Sequence, residues 1–151
     1  AVCLSCAAGT YQNDTGATYC RPCGEGSFCR QGAPAPLPCP AQTYSSATYL
    51  SAASQCTECP AGSACSTASV APTTCRAGTW SDAGADQCTP CDVGEYQDEE
   101  GMTSCKACVA GSYCPEGASA YLPCPATRFS SSPKALAAPP QAACRSSGSF
   151  S

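Results

Sequence analysis

CAAGTYQNDTGATYCRPC, residues 6–23, opens on a cysteine, sets Gly9 three positions later and Tyr11 five positions later, and reaches Cys20 three positions before a second start at Cys23. The register recurs. With Cys6, Cys23, Cys39, Cys59, Cys75, Cys91, Cys108 and Cys124 as starts, the gaps are 17, 16, 20, 16, 16, 17 and 16 residues. The fifth position after each start holds Tyr11, Phe28, Tyr44, Ala64, Trp80, Tyr96, Tyr113 or Phe129, and Ala64 alone is not aromatic. The third position is glycine except at Gln42 and Thr127. Tandem repetition of one small unit, C-x-x-G-[S/T]-aromatic, accounts for this register. The organisation that follows is eight units across residues 6–144, the end of a preceding unit at 1–5, and a flexible tail or inter-subunit contact at 145–151.

Composition decides what can hold such units together. Leu, Ile, Val and Phe number 5, 0, 4 and 3 in 151 residues. That share lies far below the roughly 20% at which an unsupported chain becomes disordered. A sizeable apolar core is excluded. The 17 cysteines supply the alternative, a disulfide scaffold, which persists only in oxidising surroundings. An extracellular location, at a cell surface or secreted, is expected. Closing a loop of about 15 residues contributes roughly 3 kcal/mol in the chain-entropy model.

A net charge of −4 with two lysines, Lys106 and Lys134, argues against nucleic acid and anionic membranes as partners. No apolar run reaches the roughly 18 residues of a membrane span, so direct membrane insertion is not expected. The chain opens Ala-Val-Cys without Met or a leader, as a processed form or one piece of a longer protein would.

Two kinds of unit alternate. In the long kind a closing cysteine falls three residues before the next start: Cys6 with Cys20, Cys39 with Cys56, Cys75 with Cys88, Cys91 with Cys105, and Cys124 with Cys144. In the short kind a cysteine follows the aromatic position directly: Cys23 with Cys29, Cys59 with Cys65, and Cys108 with Cys114. Sequential pairing within each unit uses sixteen cysteines and leaves Cys3. A crossed pattern, such as Cys20 with Cys29, stays open, because sequence does not fix connectivity. The tails RQGAPAPLP, STASVAPTT and PEGASAYLP of the short units read as extended spacers. Glycine at the third position suits a tight turn with positive φ. The aromatic is expected to cover a disulfide, its own or that of the next unit. The fold class expected is a small disulfide-rich repeat: an elongated rod of short β-hairpins and coil, with about eight disulfides and little or no helix.

The C-x-x-G-[S/T]-aromatic start and the C-x-x-C junctions resemble the ephrin-receptor-like cysteine-rich repeat and are similar to the short modules of tumour-necrosis-factor-receptor ectodomains. CAAGTYQNDTGATYCRPC (6–23) and CDVGEYQDEEGMTSCKAC (91–108) carry the resemblance, which runs from Cys3 to Cys144. It implies an extracellular module found in receptor stalks, surface coats and flagellar hairs, with no catalytic residue in common. Ala64, Gln42 and the absence of C-x-x-C after Cys144 depart from the pattern.

Chemistry-bearing motifs are few. Cys3, Cys6, Cys20 and Cys23, like Cys88, Cys91, Cys105 and Cys108, have near zinc-ribbon spacing. The absence of histidine and a third regular cysteine argue for bridges instead, so neither metal nor cofactor is expected. Without histidine the commonest general base is missing, and an enzyme is not expected. Glu95, Asp98, Glu99 and Glu100 form an acidic edge, either a calcium ligand set or a solvated turn. Asn13-Asp14-Thr15 is a sequon, and an N-linked glycan on Asn13 is expected. The patches Ala33–Pro36, Ser130–Pro133 and Ala138–Pro140 are polyproline-like, with O-linked sugars as an option. Cys3 would close a preceding unit or bond another subunit.

Two functions follow as expectations. The first is an extracellular structural glycoprotein, a repeat subunit of a cell-surface filament, coat or flagellar-hair-like appendage, with copies of itself as partners. The second is a receptor-type ectodomain that binds another surface protein through Glu95–Glu100 or Tyr121-Leu122.

Overall fold

The computed structural model describes residues 2–124, 128–129 and 144–146. The C-x-x-G-[S/T]-aromatic start makes the same turn in repeat after repeat. In the first, the Thr10 amide donates to the Ala7 carbonyl at 3.1 Å, and Gly9 between them takes φ +87°. The same closure joins Thr79 to Arg76, Glu95 to Asp92 and Ser112 to Val109. Positive φ at the third turn residue is the demand that glycine meets without steric cost. Gln42 occupies the position at φ 77°. Where threonine follows, its hydroxyl also donates to the turn's first carbonyl, at 2.7 Å in Thr10, Thr43 and Thr79.

Two-residue strands leave each turn. The first strand is the [S/T]-aromatic pair or its equivalent, and the second is the dipeptide just before the next start. β1 (Thr10–Tyr11) pairs with β2 (Arg21–Pro22), β3 (Ser27–Phe28) with β4 (Leu37–Pro38), β5 (Thr43–Tyr44) with β6 (Thr57–Glu58), and β7 (Ser63–Ala64) with β8 (Thr73–Thr74). The series continues with β9 (Thr79–Trp80) and β10 (Thr89–Pro90), β11 (Glu95–Tyr96) and β12 (Lys106–Ala107), β13 (Ser112–Tyr113) and β14 (Leu122–Pro123), and β15 (Arg128–Phe129) and β16 (Arg145–Ser146). These short antiparallel hairpins tolerate Pro22, Pro38, Pro90 and Pro123 because two-residue strands offer edge positions.

The tails of the short units are not the extended spacers expected from their composition. Each makes a second turn and returns as a strand. The Ala33 amide donates to Arg30, Ser69 to Ser66 and Ala118 to Pro115, with Gly32, Ala68 and Gly117 at positive φ. Backbone hydrogen bonding, which proline content alone does not forbid, decides this. The 20-residue gap of the third unit is taken up by a 3-10 turn at Ala53–Gln55. The Gln55 Oε1 accepts from the amides of Ser51 and Ala52 at 2.7 and 3.1 Å.

Eight disulfides cross-link the hairpins: Cys6–Cys20, Cys23–Cys29, Cys39–Cys56, Cys59–Cys65, Cys75–Cys88, Cys91–Cys105, Cys108–Cys114 and Cys124–Cys144. Their sulfurs are the core. Cys23, Cys29, Cys39, Cys59, Cys65, Cys75 and Cys91 are fully buried. The residues of Ala1–Pro60, Ala64–Thr73 and Ala83–Gln87 that are described form one compact unit, and those of Ala61–Ser63, Thr74–Asp82 and Cys88–Ser151 a second. Ser130–Pro133, Ala138–Pro140 and the tail after Ser146 lie outside the described residues.

Candidate functional site

Successive repeats are joined through their peptide groups. Six start carbonyls accept from the second turn of the next repeat: Cys6 from Gly32, Cys23 from Tyr49, Cys39 from Ala68, Cys59 from Gly84, Cys75 from Gly101 and Cys91 from Gly117, at 2.7–3.0 Å. Five motif glycine amides donate onward as well, Gly9 to Cys29, Gly26 to Ser45, Gly62 to Ser81, Gly78 to Gln97 and Gly94 to Cys114. Side-chain identity matters little to such a ladder, which is why Ala, Ser and Thr fill so much of the surface.

Where side chains are constrained, they are constrained by the sulfurs. Tyr11 packs on the next repeat's bridge, Cys23–Cys29, with Ala33. Phe28 packs on Cys39 and Cys56 with Leu50, and Tyr96 on Cys108 and Cys114 with Ala118. The aromatic thus covers the following bridge, one of the two options its spacing left. Arg30 stacks over the Phe28 ring at 6.0 Å, and Tyr121 meets Tyr96 edge-on at 5.4 Å.

The residue after the aromatic explains why units come in two kinds. It points inward. In short units it is Cys29, Cys65 or Cys114 and makes the bridge. In long units a small or amide side chain fills the same register. Ser81 is 2% exposed, donates to the Ser63 carbonyl at 2.9 Å and lies 3.4 Å from Cys75 Sγ. Gln97, also 2% exposed, donates to the Ser104 carbonyl at 2.7 Å and accepts from the Glu99 amide at 3.1 Å. Gln12 repeats the clip, donating to Tyr19 and accepting from Asp14.

The acidic edge is a turn stapled by these clips. Lys106 Nζ lies 2.6 Å from Asp98 and 3.1 Å from Glu99. The hydrogen bond from Lys106 holds the Asp98 carboxyl below its usual range, and Asp98, with Glu99, holds the Lys106 ammonium above its own. Arg21 pairs with Asp14 at 2.8 Å in the corresponding loop of the first repeat, and Asp14 raises its guanidinium. Among the described residues no cluster of His, Cys, Asp or Glu is arranged to hold a metal ion. Asn13 is exposed on the Gln12-clipped loop, and Cys3 is exposed and unbridged.

The register missed by the motif is the second turn. Gly16, Gly32, Tyr49, Ala68, Gly84, Gly101 and Gly117 all have positive φ. Its signal was a Gly followed by Ala or Met nine or ten positions after a start, at Gly16-Ala17, Gly32-Ala33, Gly84-Ala85, Gly101-Met102 and Gly117-Ala118. Gln97 and Gln12 were missed too, since nothing in a lone glutamine shows where its amide turns.

A family model for tyrosine-protein kinase ephrin type A/B receptor-like sequences matches residues 78–121. No curated protein matches the chain at a significant level. No helix among the described residues is long and apolar enough to cross a membrane. Eight disulfides together with this module make the chain extracellular in type. With short hairpins closed by cystine throughout the described repeats and the matched module at 78–121, the chain fits an ephrin-receptor-like cysteine-rich protein.

Proposed function

We propose that the chain is a non-catalytic structural segment of an extracellular surface assembly, with copies of itself as its partners. The observation that carries this reading is the backbone ladder. From the first repeat to the seventh, successive repeats are joined by the same peptide hydrogen bonds, Gly32 to Cys6 through Gly117 to Cys91, and among the described residues none of these repeats departs from it to build a site. Load applied along such a chain meets a bridge and several buried hydrogen bonds at every repeat. An N-linked glycan on exposed Asn13 is part of the proposal, on the loop that Gln12 fixes.

Single-molecule stretching of the full oxidised chain tests it. Resistance in steps of one repeat, lost on adding reductant, is expected. Extension without resistance while the bridges are intact would refute a structural role. The receptor-type alternative is favoured by one observation, exposed Tyr121 and Leu122, with Tyr121 edge-on to Tyr96. Tyr121→Ala with Leu122→Ala should leave incorporation into a surface assembly unchanged; loss of capture by a surface protein would replace the structural reading with a ligand-binding one. Intact mass before and after glycosidase, in wild type and Asn13→Gln, reads the glycan.

A further inference from the structure

Six bridges, from Cys23–Cys29 to Cys108–Cys114, have a repeat on either side, and they are not equally sealed. In the short units both cysteines are buried to 2% exposure or less. In the third, fifth and sixth repeats the opening cysteines Cys39, Cys75 and Cys91 are fully buried, and the closing ones differ. Cys56 is buried at 9% with Phe28 and Leu50, and Ala53 of the 3-10 turn packs against that cluster. Cys88 and Cys105 close loops of 13 and 14 positions against 17 in the third repeat, neither loop has a 3-10 turn, and both residues are only half-buried. Two features set Cys75–Cys88 apart from Cys91–Cys105. Tyr11, Phe28 and Tyr96 each pack on the bridge of the next repeat; the repeat ahead of Cys91 carries Trp80 at that position, and the repeat ahead of Cys75 carries Ala64. The buried Ser81 hydroxyl lies 3.4 Å from Cys75 Sγ, whereas Gln97, at the same register in the sixth repeat, engages its amide with Ser104 and Glu99.

We infer that Cys75–Cys88 is a thiol–disulfide exchange site for an extracellular dithiol, and the first of these six bridges to open. One thiolate of the dithiol attacks Cys88 Sγ, the accessible sulfur, in line with the bridge. The S–S bond breaks and its electron pair leaves on Cys75 Sγ. The Ser81 hydroxyl, which donates to the Ser63 carbonyl while the bridge is closed, turns to donate to this thiolate. A charge-assisted hydrogen bond of that kind makes Cys75 the better leaving group. The second thiolate of the dithiol then attacks the dithiol's own sulfur in the mixed disulfide and releases Cys88. The bridge gains two electrons, the dithiol leaves as a disulfide, and the two protons it loses end on Cys75 and Cys88. The opened loop spans 13 positions with its ends 5.6 Å apart, so its release adds roughly 40 Å of extended chain. The other five bridges keep their hairpins closed. This deepens the structural reading above and rests on it for its biological sense: a segment under load lengthens by one step where dithiols are present instead of coming apart.

Limiting dithiothreitol on the full oxidised chain, with Cys3 alkylated beforehand, is the test. Samples quenched by alkylation and mapped by peptide mass give a rate for each bridge. Among the six, Cys75–Cys88 should open first, roughly tenfold or more ahead of Cys39–Cys56 and the short-unit bridges, because access to the attacked sulfur sets the rate. Trp80, paired with Thr89 next to Cys88, should change its emission in the same phase. Ser81→Ala should slow this step several-fold and raise the pKa of the freed Cys75 thiol, a shift that a merely structural role would not produce. Should Ser81→Ala fold poorly, the order of opening in the unsubstituted chain decides. Loss of all six bridges together, or any of the other five opening as fast as Cys75–Cys88, would overturn the inference, as would a folded Ser81→Ala chain reduced at the original rate. A chain that bears force while oxidised but loses its bridges all at once overturns this inference alone. A chain that extends without resistance removes the structural reading and leaves the order of opening to stand on its own.

Discussion

Gly78 lies against the carbonyl of Gly117, two repeats along the chain, with no room between them for a methyl group. The contact ties a turn to a turn without any side chain. It also means that glycine at this position answers two demands, a positive φ of +85° and a close backbone approach.

Gly78→Ala should therefore be far more damaging than Gly111→Ala, although both residues sit at the same position of the motif. The left-handed backbone costs alanine about 1–2 kcal/mol in either place. Gly78 adds overpacking against fixed backbone, about 1–3 kcal/mol more. Denaturant melts of the two variants measure the difference, and equal losses would show that the carbonyl contact carries no weight.

Ala68→Gly should stabilise the chain by up to about 1 kcal/mol, because it relieves a non-glycine residue held at φ 63°. A shift of the unfolding midpoint with unchanged slope is the expected signature. A destabilised variant would mean the methyl of Ala68 is used in packing.

Gln97→Ala should cost about 1–3 kcal/mol, since it leaves the Ser104 carbonyl and the Glu99 amide without their side-chain partner. Gln12→Ala, on a more exposed loop, should cost less. Thermal melting of both variants checks the order.

The Lys106 staple sets a pH window with a definite sign. The lowered Asp98 carboxyl adds stability that is present above the ordinary carboxylate range and is lost as pH falls through its depressed value. The raised Lys106 ammonium adds stability that is present below the ordinary lysine range and is lost as pH rises through its elevated value. The loop should thus hold through neutral pH and loosen only at both extremes, as read from the Glu99 and Ser104 amide resonances. Lys106→Met should abolish the alkaline transition and diminish the acid one, which a backbone hydrogen bond to Asp98 also supports.

Reduction should unfold the chain where acid does not. Trp80 pairs with Thr89, next to the Cys75–Cys88 bridge, so its emission should shift to the red on reduction. Emission unchanged by reductant would mean that something besides cystine holds the fifth hairpin.

Much of this was legible in the sequence for one physical reason. A chain with twelve large aliphatic and Phe residues in 151 has no core but its cysteines, so their spacing had to carry the fold. The small disulfide-rich repeat, its hairpins and, among the described residues, the scarcity of helix follow from the starts at Cys6 to Cys124 and the aromatic five positions on. The tertiary structure decided what spacing cannot reach. It chose the next repeat's bridge as the seat of Tyr11, Phe28 and Tyr96, and turned the proline-rich tails back as strands. It also set Gly9, Gly26, Gly62 and Gly78 beneath carbonyls two repeats away. Those contacts run between peptide groups, and every residue carries the same peptide group, so no pattern of side chains could announce them.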